Sequence, residues 1–338
     1  MKLFATATEA RDMFQLFAGN ANTNVTSATA TGNNLSAEMK TFYDTTLLEN
    51  ARNEHYFNQF GQKQVLPKNG GNKVEWRKID TYSAALTPLT EGVTPDGNKV
   101  NITKIEANID QYGDYTTVSD RLELEAIDPI ISMVTEEHGA QAGDTLDIIT
   151  RNEVCTGTNV IYGGGKTSRS ALTASDTITT TLVNQAFTFL KKQHAPTING
   201  DYVAIIHPSV AYDLRECDGW LDVHKYAQPN EIFNGEIGKL HGVRFIEDAS
   251  QKIWASGASG ACVYAVTVFG KDAYGIIDPS AEALEVIVKQ RGSAGTADPL
   301  DQRSTVGWKA SHAAKILYQE RLVRIEVGSY FSSTDNAN

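Results

Sequence analysis

The sequence predicts a mixed α+β fold in which a compact body carries protruding segments. Alternating apolar residues indicate several strands, one long tract has helical periodicity, and two polar tracts contain too few apolar residues to form a core of their own. The chain has 338 residues, of which 41% are hydrophobic and 21% are charged. This composition supports a sizeable core and, at this length, two to three domains.

Residues 1–36 are predicted to form a flexible N-terminal arm. After a short amphipathic stretch, the tract 18–34 consists almost entirely of Ala, Asn, Thr, Gly and Ser, which cannot bury a core. Ser36 is a candidate N-cap for a helical lead-in over 37–64. The first residues lack the apolar centre of a secretory signal, and no apolar run is long enough to span a membrane, so we expect folding in the cytoplasm.

Residues 65–115 are predicted to form an extended β-hairpin. In the first arm, Val74 and Trp76 share one face of a strand. In the second arm the apolar residues change phase near Thr103 and Lys104, which predicts a β-bulge or bend there.

The tip of this hairpin, 86–98, is rich in residues that favour turns. A long polar tip has little core of its own, so we expect it to reach out and pack on a neighbouring copy. The candidate contact residues are Trp76, Leu89, Glu91, Val93 and Asp96.

Residues 129–156 give the clearest helical pattern. Asp128 is a candidate N-cap, and Pro129 suits the first helical position. The helix contains Gly139 and Gly143, each of which costs about 1 kcal/mol relative to alanine. Two such costs in one helix indicate a bend or a close contact, and we treat both glycines as a candidate hinge.

The rest of the chain predicts a compact mixed domain and a return to the region around the long helix. The region 116–181 contains that helix, and 182–280 alternates helical and strand segments. Residues 281–338 are expected to add two long strands, one at 284–290 and one within 313–330, with a loop between Gly292 and Arg303.

Motifs of nucleotide or metal chemistry do not occur in recognisable form. The run Gly163–Thr167 lacks the first glycine of a phosphate-binding loop, because Val160 stands at that position. We therefore expect a flexible surface loop. The seven histidines form no metal-ligand motif, and the three cysteines, Cys155, Cys217 and Cys262, are widely spaced and expected to be packing residues. No cofactor, metal or catalytic residue is expected.

One local group leaves a catalytic alternative open. Asp222 and His224 follow Trp220 closely, which permits a hydrolase that uses these two side chains, although a turn around a buried tryptophan is the favoured interpretation. The formal net charge of −11 argues against tight DNA binding through the average field, because phosphate contacts need an excess of Lys and Arg. It is compatible with the weakly repelling wall of a DNA container.

Several segments resemble the N4-type family of tailed-bacteriophage major capsid proteins, which have the Hong Kong 97 capsid fold. The similar segments are Asp298–Ala310, Ala313–Leu317, Leu322–Glu326, His241–Asp248 and Phe269–Gly275, and the order of elements agrees from residue 36 to the end.

The resemblance implies a structural protein that self-assembles into an icosahedral shell around the double-stranded DNA of a tailed phage, without sequence-specific binding. Region 65–115 would be the extended loop that lies over an adjacent subunit, and the helix at 129–156 the spine of a peripheral domain. Region 182–280 would be the axial domain around pentamer and hexamer axes, and 281–338 would return to the peripheral domain.

The expected partners are further copies, a separate scaffolding protein, a portal and a possible decoration protein. The arm before residue 36 is too short to be a fused scaffolding domain. The expected location is the virion capsid, assembled in the cytoplasm of the bacterial host, with no membrane contact. The main alternative is the shell of a bacterial nanocompartment of the same fold. A secreted adhesin is disfavoured because no signal peptide is evident.

Overall fold

The computed structural model describes residues 55–65, 72–80, 82–94, 97–125, 129–217, 220, 236–277, 284–293 and 298–338. The predictions for the arm at 1–36, for most of the lead-in at 37–64, and for Asp96, Asp128, Asp222 and His224 lie outside these residues.

The described α-helices, in chain order, are α1 (Phe57–Phe60), α2 (Asp120–Glu125), α3 (Ile130–Val154), α4 (Thr180–Lys192) and α5 (Pro208–Glu216). The described strands are β1 (Gln62–Gln64), β2 (Lys73–Ile79), β3 (Ile102–Asn108), β4 (Asp110–Ser119), β5 (Val160–Tyr162), β6 (Tyr202–Ile206), β7 (Glu236–Leu240), β8 (Val243–Glu247), β9 (Ile253–Trp254), β10 (Val263–Phe269), β11 (Tyr274–Ile277), β12 (Leu284–Lys289), β13 (Arg303–His312), β14 (Ala314–Ile316) and β15 (Leu322–Val327). The predicted long helix is confirmed, as is the predicted alternation of helical and strand segments within 182–280.

The largest sheet has seven strands in the order β5-β15-β10-β6-β8-β7, with β9 beside β10. Strands β6, β10 and β15 are buried along their whole length, because helices and loops cover both faces. Thr179 caps α4 by accepting a hydrogen bond from the Leu182 amide at 3.3 Å, and Pro208 occupies the first position of α5.

A three-stranded sheet of order β12-β13-β4 carries α3 on one face. Ala142 and Leu146 of α3 pack against Trp308 and Ala310 of β13. Strand β13 was not predicted, since residues 303–312 include glycine and several polar side chains. It is the partner that the predicted strand at 284–290 requires.

Strand β15 corrects the predicted arrangement of the C-terminal region. It lies within the predicted range 313–330, but it pairs with β10 and β5 in the large sheet and makes no pair with β12. The charged side chains of Arg324 and Glu326 in this strand are both buried. They are paired at 2.7 Å, and Arg169 donates two further hydrogen bonds to Glu326. A buried carboxylate paired in this way fits inside a sheet.

The hairpin β2-β3 is confirmed, but its second arm ends earlier than predicted. The ladder runs through Thr103 and Lys104 without a register shift, so the predicted bulge at these residues is wrong. The apolar phase changes because Ala107 faces the body, while Ile102 lies on the opposite face of the same strand and is exposed. The ladder ends before Ile109, where the chain passes into β4 and a different sheet.

Candidate assembly surfaces

The base of the hairpin is anchored inside the subunit. Val74 and Ala107 are opposite one another in the ladder, and both are buried together with Trp76. The Trp76 ring lies over Gly275 of β11, where a β-carbon would stand 2.6 Å from the indole. The structure therefore corrects the assignment of Trp76 to an inter-subunit contact, because this side chain is only 7% exposed and packs within its own chain.

The outer part of the hairpin is built in the opposite way. Its large apolar side chains are exposed, with Leu86 87% and Leu89 78% accessible to solvent. The full set is Ile79, Tyr82, Leu86, Leu89, Val93, Val100 and Ile102. Concentrated exposure of this kind is typical of a surface that binds another molecule.

Two predicted contact residues, Leu89 and Val93, belong to this apolar set, and Glu91 lies exposed between them. Ile79 and Ile102, which are directly opposite in the ladder, were not among the predicted contact residues. The sequence did contain a signal for Ile102, because it lies in the opposite apolar phase to Ala107. This change of phase was interpreted as a bulge or bend and not as an exposed face.

The exposed face of the hairpin arms carries complementary charges. Lys73 pairs with Glu106 at 3.2 Å, and Glu75 accepts from Arg77 at 2.7 Å and from Lys104 at 3.4 Å. The Arg77 guanidinium is the main cause of a lowered Glu75 pKa. Exposed ion pairs contribute little stability each, so their main effect is to favour this register of the two strands.

The two hinge candidates in α3 have different surroundings. A β-carbon at Gly143 would lie 2.4 Å from Nε2 of His55, so the imidazole occupies the space that the glycine leaves free. A β-carbon at Gly139 would meet no atom within 4 Å. Packing therefore explains Gly143, while no contact with the described residues requires glycine at 139.

A polar network fastens α3 to the sheet beneath it. Gln141 Oε1 accepts from Trp308 Nε1 at 3.0 Å and lies 3.1 Å from His138 Nδ1, so that ring nitrogen carries the hydrogen. His138 Nε2 is 2.9 Å from the Thr116 hydroxyl, and Gln141 donates to Asp114 at 2.8 Å. These bonds fix the rotation of the helix against β4 and β13.

A second buried network joins α3 to α1 and β13. The Thr150 hydroxyl donates to Asn58 Oδ1 at 2.8 Å and lies 3.0 Å from Nε2 of His312, which therefore carries the ring hydrogen. Burial lowers the pKa of His312 to about 4. The Asp147 carboxylate accepts a hydrogen bond from the backbone amide of Asn58 at 2.9 Å. Burial nevertheless raises the pKa of Asp147 to about 6.

The opposite face of the β12-β13-β4 sheet holds a groove of about 600 Å³. Its floor includes Gly113 and Gly307, and its walls include Tyr115, Ile287 and Thr305. This surface was not predicted, because strand β13, which forms its centre, was not predicted either.

The glycine run expected to be a flexible loop is an ordered turn. Gly163–Gly165 forms a tight turn in which Gly164 (φ 59°) and Gly165 (φ 67°) lie in the left-handed region, Gly163 is buried, and the Lys166 amide donates to the Gly163 carbonyl at 3.1 Å. The side chain of Asp176 fills the space beside Gly164. The turn therefore serves to pack the chain.

The described residues show neither a metal centre nor a disulfide. No group of three or more His, Cys, Asp or Glu side chains in the described ranges could hold a metal ion. Cys155, Cys217 and Cys262 form no disulfide with one another, and burial raises the pKa of Cys155 to about 11, which keeps its thiol unreactive. Trp220 is buried, as expected. None of the described helices is long and apolar enough to cross a membrane.

Solved structures with the same fold are phage capsids. The capsid of Ralstonia phage GP4 has a TM-score of 0.68 and 14% identity, and the match covers 94% of this chain and 100% of that chain. The capsid of Cyanophage Pam1 has a TM-score of 0.69 and 14% identity over 88% of this chain and 98% of that chain. The capsid of Cyanophage P-SCSP1u gives 0.66 and 15% over 87% and 94%. The predicted Hong Kong 97 type of fold is confirmed.

The sequence comparisons carry the family assignment. Comparison with curated proteins finds no match. A family model described as phage capsid protein matches residues 102–325, which is well over half of the chain. The nanocompartment alternative is not favoured by these findings. The chain belongs to the phage capsid protein family, and its function is that of a major capsid protein.

Proposed function

We propose that the chain is an N4-type major capsid protein that builds an icosahedral shell from pentamers and hexamers around double-stranded DNA. The observation that carries this proposal is the hairpin, whose base is locked into the subunit while its outer part exposes large apolar side chains. Monomeric proteins rarely expose so many large apolar side chains together, whereas in a shell the next copy would cover them.

The two halves of the hairpin explain how many weak contacts can hold a shell. The anchored base transmits force to the body, and the outer part binds the neighbour. Each subunit contacts several others, so modest individual interfaces are multiplied in a closed particle.

Helix α3 is proposed as the spine of the peripheral domain, supported by the sheet β12-β13-β4. The large sheet with α4 and α5 is proposed as the axial domain that meets its copies around the symmetry axes. Since β15 belongs to that sheet, the proposed axial domain includes residues 322–327 in addition to most of 182–280. Gly139 remains our candidate for a joint that lets one chain fit pentamers and hexamers, because no contact within the described part of the chain requires a glycine there.

A separate scaffolding protein, a portal and a possible decoration protein are the proposed partners, with assembly in the cytoplasm of the bacterial host. The net charge of −11 supports a DNA container without sequence-specific binding. Phosphates would be repelled by the average field of the wall, so the genome would be enclosed without adhering to it.

Electron microscopy of the full chain, expressed alone and together with its scaffolding protein, tests the proposal. We expect closed particles whose reconstruction resolves pentamers and hexamers of this chain. A chain that stays monomeric under both conditions, or that forms only open aggregates, would contradict the proposal.

A further inference from the structure

Strand β12 is an open edge of the three-stranded sheet β12-β13-β4. It pairs with β13 along its whole length, and no other described strand lies on its outer side. The outward-pointing amide and carbonyl groups of β12 therefore have no strand partner in the described part of the subunit. An edge strand in this state can pair with a strand of another chain.

The edge carries none of the features that usually prevent such pairing. Strand β12 has six residues, contains neither proline nor glycine, and pairs with β13 without a register shift. Its centre is the apolar run Val286–Val288, and Val286 and Val288 are 49% and 47% exposed, since α3 lies over β13 and β4. An unprotected apolar edge of this kind favours a strand from another chain as its cover.

The sequence of β12 is complementary to itself in the antiparallel direction. Pairing centred on Ile287 sets this residue opposite Ile287 of a second copy and sets Val286 opposite Val288. The same register sets Glu285 opposite Lys289, and the two-fold symmetry of the arrangement makes this ion pair twice. Apolar pairs and opposite charges that face each other directly stabilise antiparallel strands.

The charged residues of β12 are available for this contact. Glu285 and Lys289 are both exposed. Lys289 makes no ion pair with another described residue, and the Glu285 carboxylate lies 3.6 Å from Lys309 Nζ of the neighbouring strand. Glu285 can accept from a second lysine, so the contact leaves neither charge without a partner.

The other edge of the same sheet lacks this complementarity. Strand β4 contains Asp110 and Asp114 but neither lysine nor arginine. Pairing of β4 with a second β4 would therefore match no carboxylate with a cation in any register. Gly113 also leaves a gap in the middle of its side-chain row.

We propose that β12 pairs antiparallel with β12 of a second copy across a two-fold axis at Ile287, which joins two three-stranded sheets into one. This inference rests on the proposed function and goes beyond it by naming a contact separate from the hairpin. The contact is isologous, and an icosahedral shell has two-fold axes on which it can lie. One strand pair is marginal by itself. We therefore expect the contact in shells, where it recurs many times, and not between free subunits.

A single cysteine at the proposed axis tests the contact. Ile287→Cys should give covalent dimers, and no larger species, when assembled shells are treated with a mild oxidant or a short bifunctional thiol reagent. The matched control is Tyr115→Cys, because Tyr115 lies in the same row of the sheet, opposite Gly307, on the far edge. The wild-type chain controls for the native cysteines, which form no disulfide with one another. Intact Ile287→Cys shells without dimers above both controls would overturn the inference and leave the proposed function intact.

A charge exchange within one chain gives a second test that does not depend on crosslinking geometry. Lys289→Glu and Glu285→Lys should each lower the yield of shells about tenfold, because each sets two pairs of like charges across the axis. The double variant Glu285→Lys/Lys289→Glu should restore most of the yield. Glu285→Lys is its matched control, since both variants lose the pair with Lys309.

Equal yields of the double variant and of Glu285→Lys, each with a folded subunit, would refute the pairing. Failure of the wild-type chain to form shells would instead contradict the proposed function.

Discussion

The base and the outer part of the hairpin belong to one continuous feature, yet they pack in opposite ways. At the base, Trp76 and Val74 are buried inside the subunit, whereas Ile79 and Ile102, at the far end of the same ladder, are 62% and 52% exposed. The difference shows that the hairpin is completed by its own chain only at one end. The other end is the part that we propose binds another copy, and the following predictions test this division from the largest effect to the smallest.

Deletion of residues 86–98 should abolish shell formation and leave the subunit folded. The described residues of the tip are all exposed, so its loss should remove the proposed assembly contact without opening the interior. Particle yield by electron microscopy and the thermal transition of the soluble subunit measure the two effects. Normal particles from the deletion variant would contradict the claim that the tip, unlike the base, is needed for assembly.

Trp76→Ala should destabilise the subunit by about 3–5 kcal/mol, because it empties a buried site against Gly275. Leu89→Ala is the matched control and should change the free energy of unfolding by no more than about 0.5 kcal/mol, since the side chain is exposed. Denaturant unfolding of the unassembled subunit measures both. Equal losses of stability would show that the outer part also packs within its own chain.

Asp147 and His312 should give opposite pH dependences of stability. The folded chain keeps Asp147 protonated up to about pH 6, while the unfolded chain ionises it above its ordinary pKa of 3.8. This group therefore favours folding at low pH, and its contribution is lost as the pH rises from about 4 to 6.

His312 acts in the other direction. It stays neutral in the fold down to a pKa of about 4, while the unfolded chain takes up a proton below the ordinary histidine pKa of 6.5. Its contribution is therefore lost as the pH falls from 6.5 to 4. Each shift corresponds to about 3 kcal/mol at its limit, so the two effects largely offset each other between pH 4 and 6.

Single substitutions should separate the two contributions. Asp147→Asn leaves His312 alone and should make the subunit lose stability on acidification from pH 6.5 to 4. His312→Gln leaves Asp147 alone and should make it gain stability over the same change. The free energy of unfolding of each variant, measured between pH 4 and 6.5, checks both predictions. A free energy that does not change with pH in either variant would show that the network does not bury these groups.

The smallest expected effects concern the two glycines of α3. Gly139→Ala should raise subunit stability by up to about 1 kcal/mol, because the site is open and alanine favours the helix. Gly143→Ala should gain less, since the new methyl group displaces the His55 ring. If Gly139 is a joint, its alanine variant should also form fewer closed shells despite the more stable subunit. A Gly139→Ala variant with unchanged assembly would remove it from the candidate joints.

The sequence predicted those elements whose signal is local. The spacing of apolar residues and Pro129 located α3 to within two residues at either end, and alternation located Val74 and Trp76 on one strand face. Strand β13 was missed because Ser304, Gly307 and Ser311 interrupt its apolar pattern. Residues 303–312 form a strand because they pair with β4 on one side and β12 on the other.

The tertiary contacts had no local signal. Thr150 and His312 are 162 residues apart in the chain, and no sequence pattern in either segment predicts the hydrogen bond between them. Burial of Arg324 and Glu326 depends on Arg169, which comes from a distant turn. Trp76 was assigned to an interface because a large aromatic residue on a protruding strand is as well suited to binding as to anchoring, and only its burial separates the two.

Hydroxyl-radical footprinting of the subunit before and after assembly tests the central claim most directly, because it reports the solvent exposure of individual side chains. The account predicts that Leu86 and Leu89 become strongly protected in the shell, while Val74 and Trp76 are protected equally in both states. Unchanged labelling of Leu86 and Leu89 in complete shells would contradict it.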